Sequence, residues 1–257
     1  MKKADIFVMR VIKTAAIIIY TVLLVLITLP FLKGEILEYK LSNRTYEISS
    51  TPLESVGSSE PVIPPKLSDV LAFNTPNEKG IIGEVYYPRL AINLPIYTEV
   101  TNENLMGGVI SLTPERDPLT ENIAITGHNF GYSHVLLSDL LKSNIGDTMS
   151  INMLNHYYTY KVVKIDVIHE TDISVLENSK GDKGMLTLLT CDQGDITDKR
   201  FVVVGELVKD SSKQTIDVAK VSSLKTKLTQ KKVYKIILIF LVSLIVGYYI
   251  INRIIRK

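Results

Sequence analysis

The chain has no tryptophan and a single cysteine, Cys191, among its 257 residues. A lone cysteine cannot close an intramolecular disulfide, so Cys191 is either inert packing or a working thiol. An excess of one charge is missing too: 29 Lys and Arg stand against 27 Asp and Glu, for a net charge of +2. The basic residues gather beside apolar segments rather than on an aromatic-studded face, which argues against nucleic acid as a partner. No internal repeat is visible in the sequence.

Long apolar runs are present, at about 14–32 and 236–251. Each is near the length of about 20 residues that crosses a bilayer as a helix. The basic start (Lys2, Lys3, Arg10, Lys13) fits a signal sequence, but no small-residue cleavage site follows. Pro30 and Lys33-Gly34-Glu35 close the run instead, which predicts an uncleaved anchor. Four basic residues before this segment, against Lys33 and Lys40 soon after it, place the N-terminus in the cytoplasm. On the second segment, Lys225, Lys227, Lys231, Lys232 and Lys235 outnumber Arg253, Arg256 and Lys257, which taken alone would invert it. The first helix usually sets topology.

The expected layout is a two-pass membrane protein with its central domain outside. Residues 1–13 are cytoplasmic, 14–32 span the membrane and 33–79 form an extracellular linker. Residues 80–208 are the central folded domain, 209–235 a basic juxtamembrane linker, 236–251 the second span and 252–257 a cytoplasmic tail. The outward lysine collar suits anionic lipid headgroups as a partner, or is a solvated linker. An external domain without disulfides suggests a Gram-positive cell surface.

Roughly 200 residues lie between the spans, enough for one domain plus linkers. Ser49-Ser50-Thr51-Pro52 and Gly57-Ser58-Ser59-Glu60-Pro61 read as breaker-rich linker, with a short helix possible near 66–73. From Gly80 the pattern changes to short strands: 83–88, 94–98, 122–126, 148–153, 157–167, 185–190 and 201–207. Asn155-His156 suits a hairpin turn. Leu136, Leu137, Leu140 and Leu141 form a helical stripe across 135–143. Seven or eight closely spaced strands with one or two small helices predict an all-β barrel or sandwich.

Cys191 ends an apolar strand where a polar loop begins, a position that favours function. A cysteine nucleophile needs a base or a cation to hold its thiolate. His128 follows the strand-like Ile123-Ala124-Ile125-Thr126 and therefore also lies at a strand's C-terminal end. If those two strands are parallel neighbours, His128 approaches Cys191. His134 is the second choice, His156 reads as a turn residue, and His169 lies just past a long strand. Arg200 opens the next strand, and its guanidinium suits a developing oxyanion. Lys199 competes with it, but alternation puts the two on opposite faces.

Thr126-Gly127-His128, Thr187-Leu188-Leu189-Thr190-Cys191 and the following strand-opening Arg200 together resemble the sortase family of membrane-anchored cysteine transpeptidases. Ile82-Gly83-Glu84-Val85-Tyr86-Tyr87-Pro88, Asn93-Leu94-Pro95-Ile96-Tyr97, and Asn102-Glu103-Asn104-Leu105 with Gly107-Gly108 are similar to that family's entry elements. The resemblance covers about 80–208. It implies a closed β-barrel of seven to eight strands, flanked here by two transmembrane helices. It also implies cleavage of a Leu-Pro-x-Thr-Gly-like sorting signal, with Cys191 as nucleophile, His128 as acid and base, and Arg200 on the oxyanion. The acceptor is then an amine, from a pilin lysine or a peptidoglycan precursor. No cofactor or metal is implied for the chemistry, and no acidic cluster suggests calcium.

The second membrane helix resembles the pilin-polymerising class, whereas Cys191-Asp192-Gln193-Gly194-Asp195 with Lys199-Arg200 looks closer to the housekeeping class. No Asp-Pro-aromatic lid motif occurs in the linker; Ser68-Asp69-Val70 is not one. Two rival readings remain: a cysteine endopeptidase with water as acceptor, and a non-catalytic membrane-tethered binding module.

Overall fold

A computed structural model of the chain describes residues 3–42, 46, 48, 62–74, 80–131, 133–153, 156–178, 183–194, 196–211 and 218–255. The breaker-rich segments 49–52 and 57–61, Asn155 and the terminal Lys2, Arg256 and Lys257 lie outside these residues. The chain divides into two compact units, Met1–Lys33 with Gln230–Lys257, and Gly34–Thr229.

The first unit is helical. It contains α1 (Lys3–Thr28), a 3-10 turn Leu29–Leu32 led by Pro30, and most of α5 (Val218–Ile255). Both helices belong to apolar stretches long enough to cross a membrane, with mean hydropathy 2.6 and 2.3. Ile18, Ile19, Leu23, Leu26 and Ile27 on α1, and Leu238, Ile239 and Ile245 on α5, are all exposed. An outward apolar surface of this kind suits hydrocarbon rather than water. Two hydroxyls along it are satisfied internally, as that medium favours: the Thr21 hydroxyl donates to the Ile17 carbonyl at 2.8 Å. The Tyr20 hydroxyl donates to the Ser243 carbonyl at 2.8 Å, its ring seated against Gly247, where a Cβ would lie 2.2 Å from a ring carbon.

The second unit is a closed β-barrel. Its strands are β1 (Ile81–Tyr87), β2 (Ile92–Tyr97), β3 (Val109–Ser111), β4 (Asn122–Thr126), β5 (Thr148–Met153), β6 (His156–His169), β7 (Met185–Cys191) and β8 (Lys199–Ser211). They close in the order β1-β2-β3-β4-β7-β8-β6-β5, so no edge is left to pair with another chain. The β2–β3 and β4–β7 pairs are parallel; the rest are antiparallel. Alternation fills the interior with Val85, Leu94, Ile96, Ile123, Ile125, Ile151, Leu186, Leu188 and Val203, all fully or almost fully buried. Outside β4, β7 and β8, a smaller apolar layer forms from Ala124, Leu189, Val202 and Val204, with Ile168, Val175 and Leu176 packed on it.

Several elements differ from the sequence expectation. Residues 33–42, expected as linker, form α2 (Lys33–Ser42), which buries Leu37 and Leu41 against the barrel core. The helix expected near 66–73 is α3 (Leu67–Ala72), and Lys40 caps its C-terminus through the Leu71 and Phe73 carbonyls, each at 2.7 Å. The short α4 (Asn102–Gly107) starts at Thr101, whose hydroxyl accepts the Asn104 N–H. The stripe at 135–143 yields only a 3-10 turn, Ser138–Lys142, because Leu136 adopts a left-handed φ of 52° that no helix continues through. Residues 157–167 lengthen to the fourteen of β6, so His156 and His169 lie within the strand rather than in flanking turns. Within 209–235, β8 runs on to Ser211 and α5 begins at Val218.

Candidate active site

The parallel pairing of β4 with β7 brings two strand ends together. Thr126 pairs with Leu189, and the Gly127 N–H donates to the Leu189 carbonyl at 3.2 Å. Two residues further along each chain, His128 comes level with Cys191. On the other side of β7, the antiparallel ladder places Cys191 directly opposite Arg200. Directly opposed residues point to the same side of a sheet, with Cβ atoms about 4.5–5.5 Å apart. That side is the outer face, because Leu189 and Val202, one alternation back, belong to the outer apolar layer. Lys199 therefore faces away from the thiol.

Two loops meet above the strand ends. Gly131, with φ of 69°, and Gly194 approach so closely that a Cβ on Gly194 would lie 2.4 Å from the Gly131 Cα. The bare Cα of Gly194 lets the loop after His128 lie on the loop after Cys191, and Gly131 supplies the left-handed turn. Thr190, almost fully buried, donates its hydroxyl to the Gly127 carbonyl at 2.8 Å. The Asn129 amide donates to the Cys191 carbonyl at 2.9 Å. His128 is buried and stands edge-on to Phe130, with ring centroids 6.2 Å apart.

Cys191 is half-buried, and burial pushes its thiol pKa up; Arg200 pulls it down, while Asp192 and Glu170 push it up again. At rest the sulfur therefore keeps its proton near neutrality. The Arg200 guanidinium is engaged at both ends. Nη1 donates to the Thr197 and Lys199 carbonyls at 2.9 and 3.0 Å, and Nη2 to Glu170 Oε2 at 2.6 Å.

The other three histidines have different surroundings. His134 Nδ1 lies 2.7 Å from Asp139 Oδ2, and Lys142 also bonds Asp139, at 2.5 Å. Burial pushes the Asp139 carboxyl up, but hydrogen bonds from His134 and Lys142 outweigh it and hold the pKa below the ordinary range. That arrangement is an ion-pair staple for the 134–142 segment. His156 lies 3.5 Å from Asp210, and His169, at the end of β6, contacts Thr171 and Asp198. Asn129 and Glu170 escaped the sequence reading. Asn129 follows a histidine in what reads as a polar loop, and Glu170 meets Arg200 only through the β6–β8 pairing. Among the described residues, no three His, Cys, Asp or Glu side chains converge to hold a metal ion.

Comparison with known proteins identifies the family. A sortase domain model matches residues 85–208. Sortase A of Listeria monocytogenes is 30% identical over 205 residues, spanning 77% of this chain and 91% of that protein. Sortase A of Bacillus anthracis is 28% identical over 210 residues, spanning 80% and 98%. The crystal structure of Listeria monocytogenes sortase A superposes with a TM-score of 0.50 at 27% identity, covering 59% of this chain and 98% of that one. A closed barrel with its one cysteine at a strand end fits the class of cysteine transpeptidases. The chain is a member of the sortase family.

Proposed function

We propose that this protein cleaves a Leu-Pro-x-Thr-Gly-like sorting signal between Thr and Gly and transfers the acyl group to an amine, in pilus subunit polymerisation or surface protein attachment. The observation that carries this reading is Cys191 standing opposite Arg200 at the outer end of β7, beside the end of the parallel strand β4 that leads into His128. In this mechanism Cys191 loses its proton to His128 and its sulfur attacks the Thr carbonyl carbon. Arg200 stabilises the resulting oxyanion, in the place where preorganised positive charge is worth most. His128 then protonates the departing glycine amine as the C–N bond breaks, leaving a thioester on Cys191. An incoming amine attacks the thioester and gives its proton to His128; the C–S bond breaks and the departing Cys191 thiolate takes that proton back.

The two apolar helices anchor the chain in a membrane. With Lys3, Arg10 and Lys13 on or before the first span, we place both termini in the cytoplasm and the barrel on the extracellular face. The second helix favours the pilus role. Wall anchoring with a peptidoglycan-precursor amine is the second reading, favoured by the relatives named Sortase A. The test is a ligation assay. Full chain in detergent is given a sorting peptide with either a pilin-type lysine peptide or a peptidoglycan-precursor amine, and products are separated by chromatography. A joined product with one amine and not the other assigns the role. Free acid alone, whatever amine is added, makes the protein an endopeptidase.

A further inference from the structure

β4 ends before the residue it has to place. Its last main-chain rung to β7 is the Gly127 N–H on the Leu189 carbonyl. In a parallel ladder bonds alternate in direction, so the pairing would continue with the Cys191 N–H on the Gly127 carbonyl and then the Asn129 N–H on the Cys191 carbonyl. By Asn129 the main chain has turned away to bridge Leu136, with Leu137 N–H on the His128 carbonyl. The missing rung is supplied by a side chain instead. Asn129 Nδ2 donates to the Cys191 carbonyl at 2.9 Å, while Asn129 Oδ1 accepts the Gly131 N–H at 2.8 Å and turns the loop. Asn129 is only 9% exposed, so water competes little for either bond. His128 is thereby bracketed. The residue before it is tied to Thr190, and the residue after it is tied to Cys191.

We propose that Asn129 is a positioning residue whose amide sets the spacing of the His128 imidazole and the Cys191 thiol. The inference rests on the reading of these two as the acid–base and nucleophile pair. It assigns Asn129 two separable tasks: the oxygen makes the turn, and the nitrogen holds the cysteine.

Asn129→Ser separates them. A serine hydroxyl still accepts from the Gly131 N–H but is too short to reach the Cys191 carbonyl. Asn129→Gln returns an amide donor on a longer stem. Both variants are made in the full chain in detergent, and three quantities are read: steady-state kinetics with a Leu-Pro-x-Thr-Gly peptide and an amine, the rate of Cys191 alkylation by iodoacetamide, and Tm. A misplacement of about 1 Å costs on the order of 10²-fold in rate, so Asn129→Ser should lose about 10- to 100-fold in kcat with KM changed less than about threefold. The loosened thiol should alkylate at least about twofold faster at equal Tm, a gain in access joined to a loss in turnover. Asn129→Gln should recover part of both. Parent-like kcat and alkylation in Asn129→Ser would overturn the proposal. So would a loss that tracks a lowered Tm and is not recovered by Asn129→Gln. Should the parent leave the peptide unturned, the reading of the substrate fails instead, and the alkylation rates still decide the role of Asn129.

Discussion

Arg200 stands directly across the β7–β8 ladder from Cys191, and its guanidinium is held 2.6 Å from Glu170 at the end of β6. Three strands thus converge on the thiol: β7 supplies the sulfur, β8 the cation, and β6 the residue before the carboxylate that pins the cation. The resting site is poised but neutral at sulfur, because burial, Glu170 and Asp192 together outweigh the pull of Arg200.

The charge balance predicts opposite pH shifts from two substitutions. Glu170→Gln removes a group that raises the Cys191 pKa, so the midpoint of alkylation rate against pH should move down. Arg200→Lys weakens the group that lowers it, so the midpoint should stay or move up. Because an ammonium cannot reproduce the planar fork, Arg200→Lys should also lose about 10²- to 10³-fold in kcat, the typical cost of an oxyanion donor. Near-parent kinetics in that variant would reduce Arg200 to a surface cation.

The two histidines of the 128–134 loop should separate cleanly. His128→Ala should cut kcat by about 10²- to 10⁴-fold, the range of a lost general acid and base, with Tm nearly unchanged. His134→Ala should leave kcat within a few-fold while lowering stability by about 1 kcal/mol, from a lost partner to buried Asp139. A greater kinetic loss in His134→Ala would reverse the assignment.

Gly194→Ala tests the loop contact. The added Cβ would collide with the Gly131 backbone, which has no flexible end to yield. Overpacking of this kind costs about 1–3 kcal/mol, and we expect a lower Tm together with reduced turnover. An unchanged Tm would mean the two loops separate freely.

Acid should destabilise the barrel through Asp139 and Asp147. Burial pushes both carboxyls up, yet His134 and Lys142 hold Asp139 low, and Arg89 and Tyr87 hold Asp147 low. A depressed folded pKa gives stability that is complete above the unfolded value of about 3.9 and is lost as pH falls through the folded one. Tm should therefore be flat from about pH 7 to 5 and fall below about pH 4. Asp139→Asn combined with Asp147→Asn should flatten that acid limb; an unaltered limb would place the acid sensitivity elsewhere.

Much of this site was legible because its residues lie at strand ends and strands announce themselves by alternation. Leu186, Leu188 and Thr190 face inward, which leaves Cys191 outside with Arg200 and turns Lys199 away. The approach of His128 hung on one condition, a parallel β4–β7 pair, and the barrel meets it. What stayed hidden depends on distant contacts. β3 has only three residues, too few to show a period. α2 carries Leu37 and Leu41 on a single short face, a pattern that means little until the barrel is there to cover it. Leu136 breaks its helical stripe through one backbone angle that no composition reveals. Asn129 and Glu170 gain their roles only when chain segments about 30 to 60 residues apart are hydrogen-bonded.

The central claim is that Cys191 carries the acyl group, and intact mass spectrometry of the full chain in detergent tests it most directly. The protein is incubated with a Leu-Pro-x-Thr-Gly peptide and quenched in acid, beside Cys191→Ala. The account predicts a mass increase equal to the peptide up to its threonine, located on Cys191, absent in Cys191→Ala, and discharged when an amine is added. Peptide cleavage by Cys191→Ala, or an adduct on another residue, would contradict it.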